Sequence, residues 1–136
     1  MSNADAPLPG LCVLLVDDDP DTREMYRVVL TARGYRVLSA AGSVEALSQL
    51  AQCLPDVIVA EVSIPQGDAI DLIRRFRAEP RTARIPVIVL TAWTDAPTYE
   101  RIRKAGAAAV EIKPCLPEAL ALRICKVIDE SKEVPS

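Results

Sequence analysis

The sequence predicts an α/β fold: a doubly wound, five-stranded parallel sheet with helices on both faces. Three observations carry that expectation. Short segments of strand character recur five times along the 136 residues, most of them dense in Val, Ile and Leu. Between successive segments, apolar residues return at the three- and four-residue spacing of a helix, and Gly or Pro punctuates most of the joins. Continuous apolar runs suit strands covered on both faces, and strict strand-helix alternation needs a crossover helix to bring the chain back parallel.

The elements follow in order. Residues 11–16 (LCVLLV) make the first buried strand. Asp19 caps the next helix, Pro20 fits its first turn, Met25, Val28, Val29 and Ala32 supply an apolar face, and Gly34 stops it. A short strand over 35–39 precedes a helix that Ser43 caps, with Val44, Leu47, Leu50 and Leu54 on one side and Pro55 closing it. Residues 57–60 form the third strand. The third helix spans 68–78 with Ile70, Ile73 and Phe76 inward, and 86–90 is the fourth strand. A shorter helix starts near Asp95, carries Tyr99 and Ile102 and ends at Gly106. Residues 108–112 are the fifth strand, and Pro117 opens a last helix with Leu120, Ile124, Val127 and Ile128 inward. The expected strand order is flavodoxin-like, 2-1-3-4-5, with ligands outside the carboxyl ends of the strands where the winding reverses. Residues 1–10 are read as a disordered tail or tag remnant, 11–131 as the domain, and 132–136 as a tail or the start of a linker.

Composition narrows the function. The chain has 16 Lys plus Arg, 19 Asp plus Glu and no histidine. That excludes a Ser-His-Asp or Cys-His relay, a histidine-ligated zinc site and a histidine phosphoacceptor within this sequence. An acidic balance, with a pI near 5.0, argues against direct nucleic-acid binding. No apolar run reaches membrane-spanning length, so no membrane role and a cytoplasmic location are expected. Cys12, Cys53, Cys115 and Cys125 contain no CxxC pair and read as small buried thiols rather than disulfides or zinc ligands. Arg74, Arg75, Arg77, Arg81 and Arg84 read as a solvated basic stretch.

The strand ends hold the chemistry. Asp17, Asp18 and Asp19 follow the first strand, Glu61 the third, Thr91 the fourth, and Lys113 the fifth. In the expected order these four strands are neighbours, so carboxylates, a hydroxyl and an ammonium meet in one crevice. Carboxylate oxygens suit Mg²⁺, and a hydroxyl with an ammonium suits phosphoryl oxygens. Asp17, Asp19 and Asp21 also resemble the start of a calcium loop, but Thr22 and Val28 stand where its glycine and glutamate belong. A DxDxT phosphatase motif fails at Asp21. GxGxxG and GxxxxGK[ST] are both absent.

The segments LLVDDDP, PDVIVAEVSIPQGD, PVIVLTA and GAAAVEIKP resemble the signature segments of the response-regulator receiver domain of two-component signalling, over residues 11 to about 131. The resemblance implies that Asp17 and Asp18 hold Mg²⁺ with a backbone carbonyl near Ser63, that Thr91 and Lys113 grip a phosphoryl group, and that Lys113-Pro114 is a cis peptide. It further implies a histidine kinase or other signalling protein as partner, no enzymatic role beyond autophosphorylation from a phosphodonor, and helix 4 with Tyr99, Arg101 and Ile102 as a partner surface. One position departs from the pattern. The family's phosphoacceptor aspartate falls on Glu61, whose added methylene displaces the carboxylate from the in-line position that phosphoryl transfer needs. The same reach carries an anion toward Lys113 and Thr91, where phosphoryl oxygens would lie. Val110 occupies the place of the family's switch aromatic, and Ala108 and Ala109 replace acidic residues of its dimer face, so a monomer or weak dimer is expected. The leading reading is thus an atypical receiver that regulates a partner by binding, with Glu61 in place of phosphoaspartate and Mg²⁺ binding weakened where Glu61 fills the site. The alternatives are a working acceptor using Glu61 or a neighbour such as Asp68 or Ser63, and a small Mg²⁺-dependent enzyme. Trp93, two residues past Thr91, is a candidate fluorescence probe of the crevice.

Overall fold

The computed structural model describes residues 11–61, 63–64, 67–92 and 96–133; Trp93, Asp95 and the tail over 1–10 lie outside the described residues. In chain order the elements are β1 (Cys12–Val16), α1 (Pro20–Ala32), β2 (Arg36–Ala40), α2 (Ser43–Gln52), β3 (Val57–Glu61), β4 (Ser63–Ile64), β5 (Gly67–Asp68), α3 (Ala69–Ala78), β6 (Val87–Thr91), α4 (Ala96–Ala105), β7 (Ala109–Ile112) and α5 (Pro117–Glu133). The main sheet runs β2-β1-β3-β6-β7, parallel throughout, which is the 2-1-3-4-5 order expected from the alternation. The small antiparallel pair β4–β5 is an addition, and α5 continues through Glu133, past the expected end near 131.

Strand alternation sends side chains to two apolar layers. Leu14, Val16, Ile58, Ala60, Val87 and Val89 face α2, α3 and α4 through Ala46, Leu50, Ile73, Phe76 and Ile102. Val13, Leu15, Val57, Val59, Ile88 and Leu90 face α1 and α5 through Tyr26, Leu30, Leu120, Ile124 and Val127. The inward residues expected for α3 and α5 are buried as read. Asp19 caps α1 by accepting from the amide of Asp21, and Gly34, at φ 99°, ends it in the left-handed region.

Four expectations need correction. On α1, Met25 and Val28 face solvent and the buried pair is Tyr26 and Leu30. The tyrosine carries a polar tip, and that tip is satisfied because its hydroxyl donates to the Cys115 carbonyl at 2.7 Å. On α2, Val44 and Leu54 are exposed, Ala46 and Leu50 are buried, and the N-cap is Gly42 with no side-chain cap, Ser43 being the first helical residue. Arg77 is half-buried rather than solvated: its guanidinium donates to the carbonyls of Ala83, Ile85 and Gly106 at 3.2, 2.8 and 2.8 Å, joining the α3–β6 and α4–β7 connections. Finally, Ile102 is 0 % exposed and packs in the layer with Phe76. It stabilises the attachment of α4 and offers no surface to a partner, whereas Tyr99 and Arg101 are exposed.

Candidate functional site

Register fixes where the site forms. The pairs Val16↔Ala60, Glu61↔Leu90 and Thr91↔Ile112 align the carboxyl ends of β1, β3, β6 and β7 along one edge. The ladder runs slightly past the strands, with the Asp17 amide donating to the Ala40 carbonyl at 3.0 Å and the Lys113 amide to the Thr91 carbonyl at 2.8 Å. The Lys113-Pro114 peptide is cis.

At this edge Lys113 Nζ lies 2.6 Å from Glu61 Oε2 and 3.5 Å from Asp17 Oδ2. The three side chains are largely enclosed, with 27 % exposure for the lysine, 15 % for Glu61 and 9 % for Asp17. Asp17 is held from several sides: its Oδ1 accepts from the Asp19 amide at 2.9 Å and its carbonyl accepts from Arg23 Nη1 at 2.6 Å. Asp18 is exposed, and its charge still reaches Glu61. Thr91 is fully buried at the end of β6. The sequence-derived set Asp17, Glu61 and Lys113 therefore meets in direct contact, with Thr91 and Asp18 on adjoining strand ends.

Charge is unevenly shared here. Burial pushes the Glu61 carboxyl above its ordinary range, and the Asp17 and Asp18 charges add to this, while Lys113 pulls the other way. Burial works to lower the Lys113 ammonium, but the hydrogen bond it donates to Glu61 and the charge of Asp17 outweigh it, so its titration moves up. Asp17 Oδ2 and Glu61 Oε2 are both buried without a hydrogen-bond donor of regular geometry; the ion-pair contacts with Lys113 are what compensates them. Orphaned hard oxygens facing one shared ammonium are a donor set that fits a divalent cation. Among the described residues no group of three or more acidic or thiol side chains stands ready to hold a metal. The oxygens present, Asp17 Oδ2 and Glu61 Oε2, fit at most an Mg²⁺ that keeps several waters and takes one or two carboxylates.

Other expected participants are arranged differently. Val110 is half-buried and packs against the α3–α4 layer, as a core residue without a ring to swing. Asp68 caps α3, accepting from the Asp71 amide at 2.9 Å, so its carboxylate already serves the helix end. The Ser63 backbone belongs to β4, opposite Asp68, and its side chain lies outside what is described. Tyr99 stands exposed on α4 with the Arg103 guanidinium 6.0 Å from its ring centroid. Two supporting residues were not singled out from sequence. Arg23 clamps the Asp17 carbonyl, and its position four residues after the capping Asp19 was the available signal. Tyr26 ties α1 to the loop after Lys113, a role hidden because the apolar stripe of α1 was read one residue out of phase.

Residues 13–125 match the response regulator receiver domain family. An uncharacterized 14.6 kDa protein of Leptolyngbya boryana is 42 % identical over 86 residues, covering 63 % of this chain and 66 % of that protein. The phosphate regulon transcriptional regulatory protein PhoB of Pseudomonas aeruginosa is 32 % identical over 119 residues, 88 % of this chain and 52 % of the relative. The chain thus spans about half to two thirds of the length of these curated relatives. Among solved structures, the chemotaxis response regulator CheY4 of Vibrio cholerae superposes with a TM-score of 0.82 at 29 % identity, over 87 % of this chain and 98 % of that one. The receiver domain of a signal transduction histidine kinase from Syntrophus aciditrophicus gives 0.84 at 29 % identity, over 93 % and 96 %.

Proposed function

This chain belongs to the response regulator receiver domain family, and on that premise we propose that it regulates a signalling partner by binding, with the Glu61 carboxylate standing in for a phosphorylated aspartate. The observation that carries the reading is the 2.6 Å contact between Glu61 Oε2 and Lys113 Nζ. In a receiver the ammonium grips a phosphoryl oxygen. Here a carboxylate of the chain itself reaches that ammonium, because glutamate is one methylene longer than aspartate and starts from the same strand end. The substitute is imperfect in charge, one unit against the ~1.5–2 of a phosphoryl group.

Asp17 and Asp18 would hold Mg²⁺, whose contribution when bound is to neutralise negative oxygens in the crevice. Lys113 already compensates Asp17 and Glu61, so the ion competes with an internal ammonium and binds more weakly than at a site without that contact. Thr91, buried one strand away, is the hydroxyl through which the site would report to the α4–β7 side. With Val110 in the core and Ala108 and Ala109 uncharged, neither a swinging aromatic nor an acidic dimer face supports that report, which favours a monomer or weak dimer and a partner that reads the surface around Tyr99 and Arg101. A histidine kinase or another signalling protein fits as that partner; the acidic balance of the chain disfavours direct binding of nucleic acid.

A second reading has one observation in its favour: Glu61 Oε2 is buried and meets only the Lys113 ammonium, so the carboxylate keeps lone pairs beyond that single contact. Incubation with Mg²⁺ and acetyl phosphate, followed by intact mass, separates the two. The proposal expects no phosphoryl adduct on the unaltered protein and an adduct on Glu61→Asp. An adduct on the unaltered protein would overturn it in favour of a working acceptor.

A further inference from the structure

α2 and α3 both start at the strand carboxyl ends and cover the same face of the sheet, so a groove runs between them. Two cavities of about 420 and 200 Å³ lie along this groove and share Leu47 and Arg75 as a common wall. Their floor is apolar, with Leu72 in the first cavity and Phe76 in the second. On the α2 side Val44 is 63 % exposed, Leu47 is partly buried and Ala51 is exposed, at the i, i+3 and i+7 positions of one helix stripe. The α3 side is basic. Residues 74–84 hold five arginines against the single carboxylate of Glu79, in a chain of net charge -3. Arg77 turns onto three backbone carbonyls and Arg84 lines a separate cavity, which leaves Arg74, Arg75 and Arg81 along the groove, all exposed. Asp71 and Glu79 also stand on its wall. Among the described residues, however, the ion pairs form elsewhere, at Glu24 with Arg27, at Lys113 and at Glu111 with Arg123.

We propose that the α2–α3 groove docks an acidic amphipathic helix of a partner protein. Apolar side chains of that helix, spaced i, i+3 or i+4 and i+7, fill the two cavities, and its Asp or Glu residues meet Arg74, Arg75 and Arg81. The lengths agree. Val44 to Ala51 spans about 11 Å at ~1.5 Å per residue, the reach of an i, i+7 pair on the incoming helix. Charge selects the occupant: three exposed guanidinium groups with no ion-pair partner among the described residues attract carboxylates over an apolar floor. A phosphate backbone gains nothing from that floor and is repelled by Asp71 and Glu79 on the wall. A second copy of this chain is a poorer match, because the exposed acidic helix it would offer, α1, already spends Glu24 on Arg27. No residue lining the groove takes part in the contact between Glu61 and Lys113, so docking here does not depend on how that crevice is used.

The probe is a labelled synthetic helix of about 16 residues with Leu at i, i+3 and i+7 and Glu flanking them; a control peptide carries Lys for each Glu. Fluorescence anisotropy with the full chain gives the affinity, and backbone amide NMR maps the contact. The glutamate helix is expected to bind about tenfold tighter than the lysine helix, to shift amides of α2 and α3, and to weaken as salt rises. Arg75→Gln with Arg81→Gln should weaken it about tenfold, each exposed pair contributing a few-fold. Val44→Ser, at a position the core does not use, should weaken it about threefold, and the free amide spectra show that both variants keep the fold. Equal affinity for the two peptides, unchanged affinity in the arginine variant, shifts centred on α1 or α4, or no binding at about 1 mM would overturn the proposal. So would α2 and α3 shifts that follow protein concentration without peptide, which assign the groove to a second copy, or tighter binding of a duplex RNA at the same amides.

Discussion

Replacing Lys113 by methionine removes the ammonium that Asp17 and Glu61 share while keeping an unbranched side chain of similar length. At an effective dielectric of about 20, contacts of 2.6 and 3.5 Å correspond to gross attractions of roughly 6 and 5 kcal/mol. Most of this is offset. The variant no longer desolvates an ammonium, and a lysine still 27 % exposed keeps part of its hydration and is screened. The net loss therefore falls below the ~3–5 kcal/mol seen when one partner of a fully buried pair is deleted, and we expect about 2 kcal/mol at pH 7. For a domain of this size that is a fall of roughly 6–10 °C in Tm. The pH dependence gives the sign. Burial, aided by Asp17 and Asp18, raises the folded-state titration of Glu61, so its ionised form is the one the fold disfavours. That cost is present above the folded titration and vanishes as pH falls toward the ordinary glutamate value of about 4.3. Without Lys113 the cost grows, so the deficit of Lys113→Met should narrow on acidification from pH 7, and millimolar Mg²⁺ should stabilise the variant more than the unaltered protein. Urea unfolding across pH and Mg²⁺ concentration measures all three. A deficit under about 0.5 kcal/mol at pH 7, the size of an ordinary surface change, or one that widens on acidification, would refute the shared-ammonium reasoning.

Two further predictions concern the supports of the site. Gly106 sits at φ 112°, where an added Cβ would stand 3.0 Å from Arg77 Nε, so Gly106→Ala should cost about 1–3 kcal/mol in urea unfolding from backbone strain and the displaced guanidinium. Tyr26→Phe leaves the buried Cys115 carbonyl without its 2.7 Å donor; a loss of about 1–1.5 kcal/mol is expected, with faster amide hydrogen exchange in the 113–116 loop, and unchanged exchange there would show that the tie does not hold the loop.

Sheet order and the meeting of Asp17, Glu61 and Lys113 were legible because both depend on patterns that survive without neighbours. Alternation prescribes parallel crossovers, and strand ends place their next residues at one edge whatever the helices do. Helix phase was less legible where burial is shared with polar function. Tyr26 buries a ring whose hydroxyl needs a partner 89 positions away, and Arg77 buries a guanidinium on three carbonyls from two other connections. Neither partner is visible from local spacing, so a count of apolar residues favoured Met25 and Val28 on α1 and left Arg77 in solvent. Ile102 shows the converse error, an apolar residue grouped with the surface neighbours Tyr99 and Arg101 although it is 0 % exposed.

The central claim is that Glu61 holds the Thr91–Lys113 side of the crevice as a phosphoryl group would. Backbone amide NMR spectra of the unaltered protein and of Glu61→Asp, each with and without Mg²⁺ and beryllofluoride as a phosphoryl mimic, test it most directly. The account predicts that the unaltered protein responds little to the additive. The free Glu61→Asp variant should differ from it at Thr91, Lys113 and α4, and the loaded variant should move back toward the unaltered spectrum. Superposable free spectra, or beryllofluoride shifts in the unaltered protein as large as those in Glu61→Asp, would contradict it.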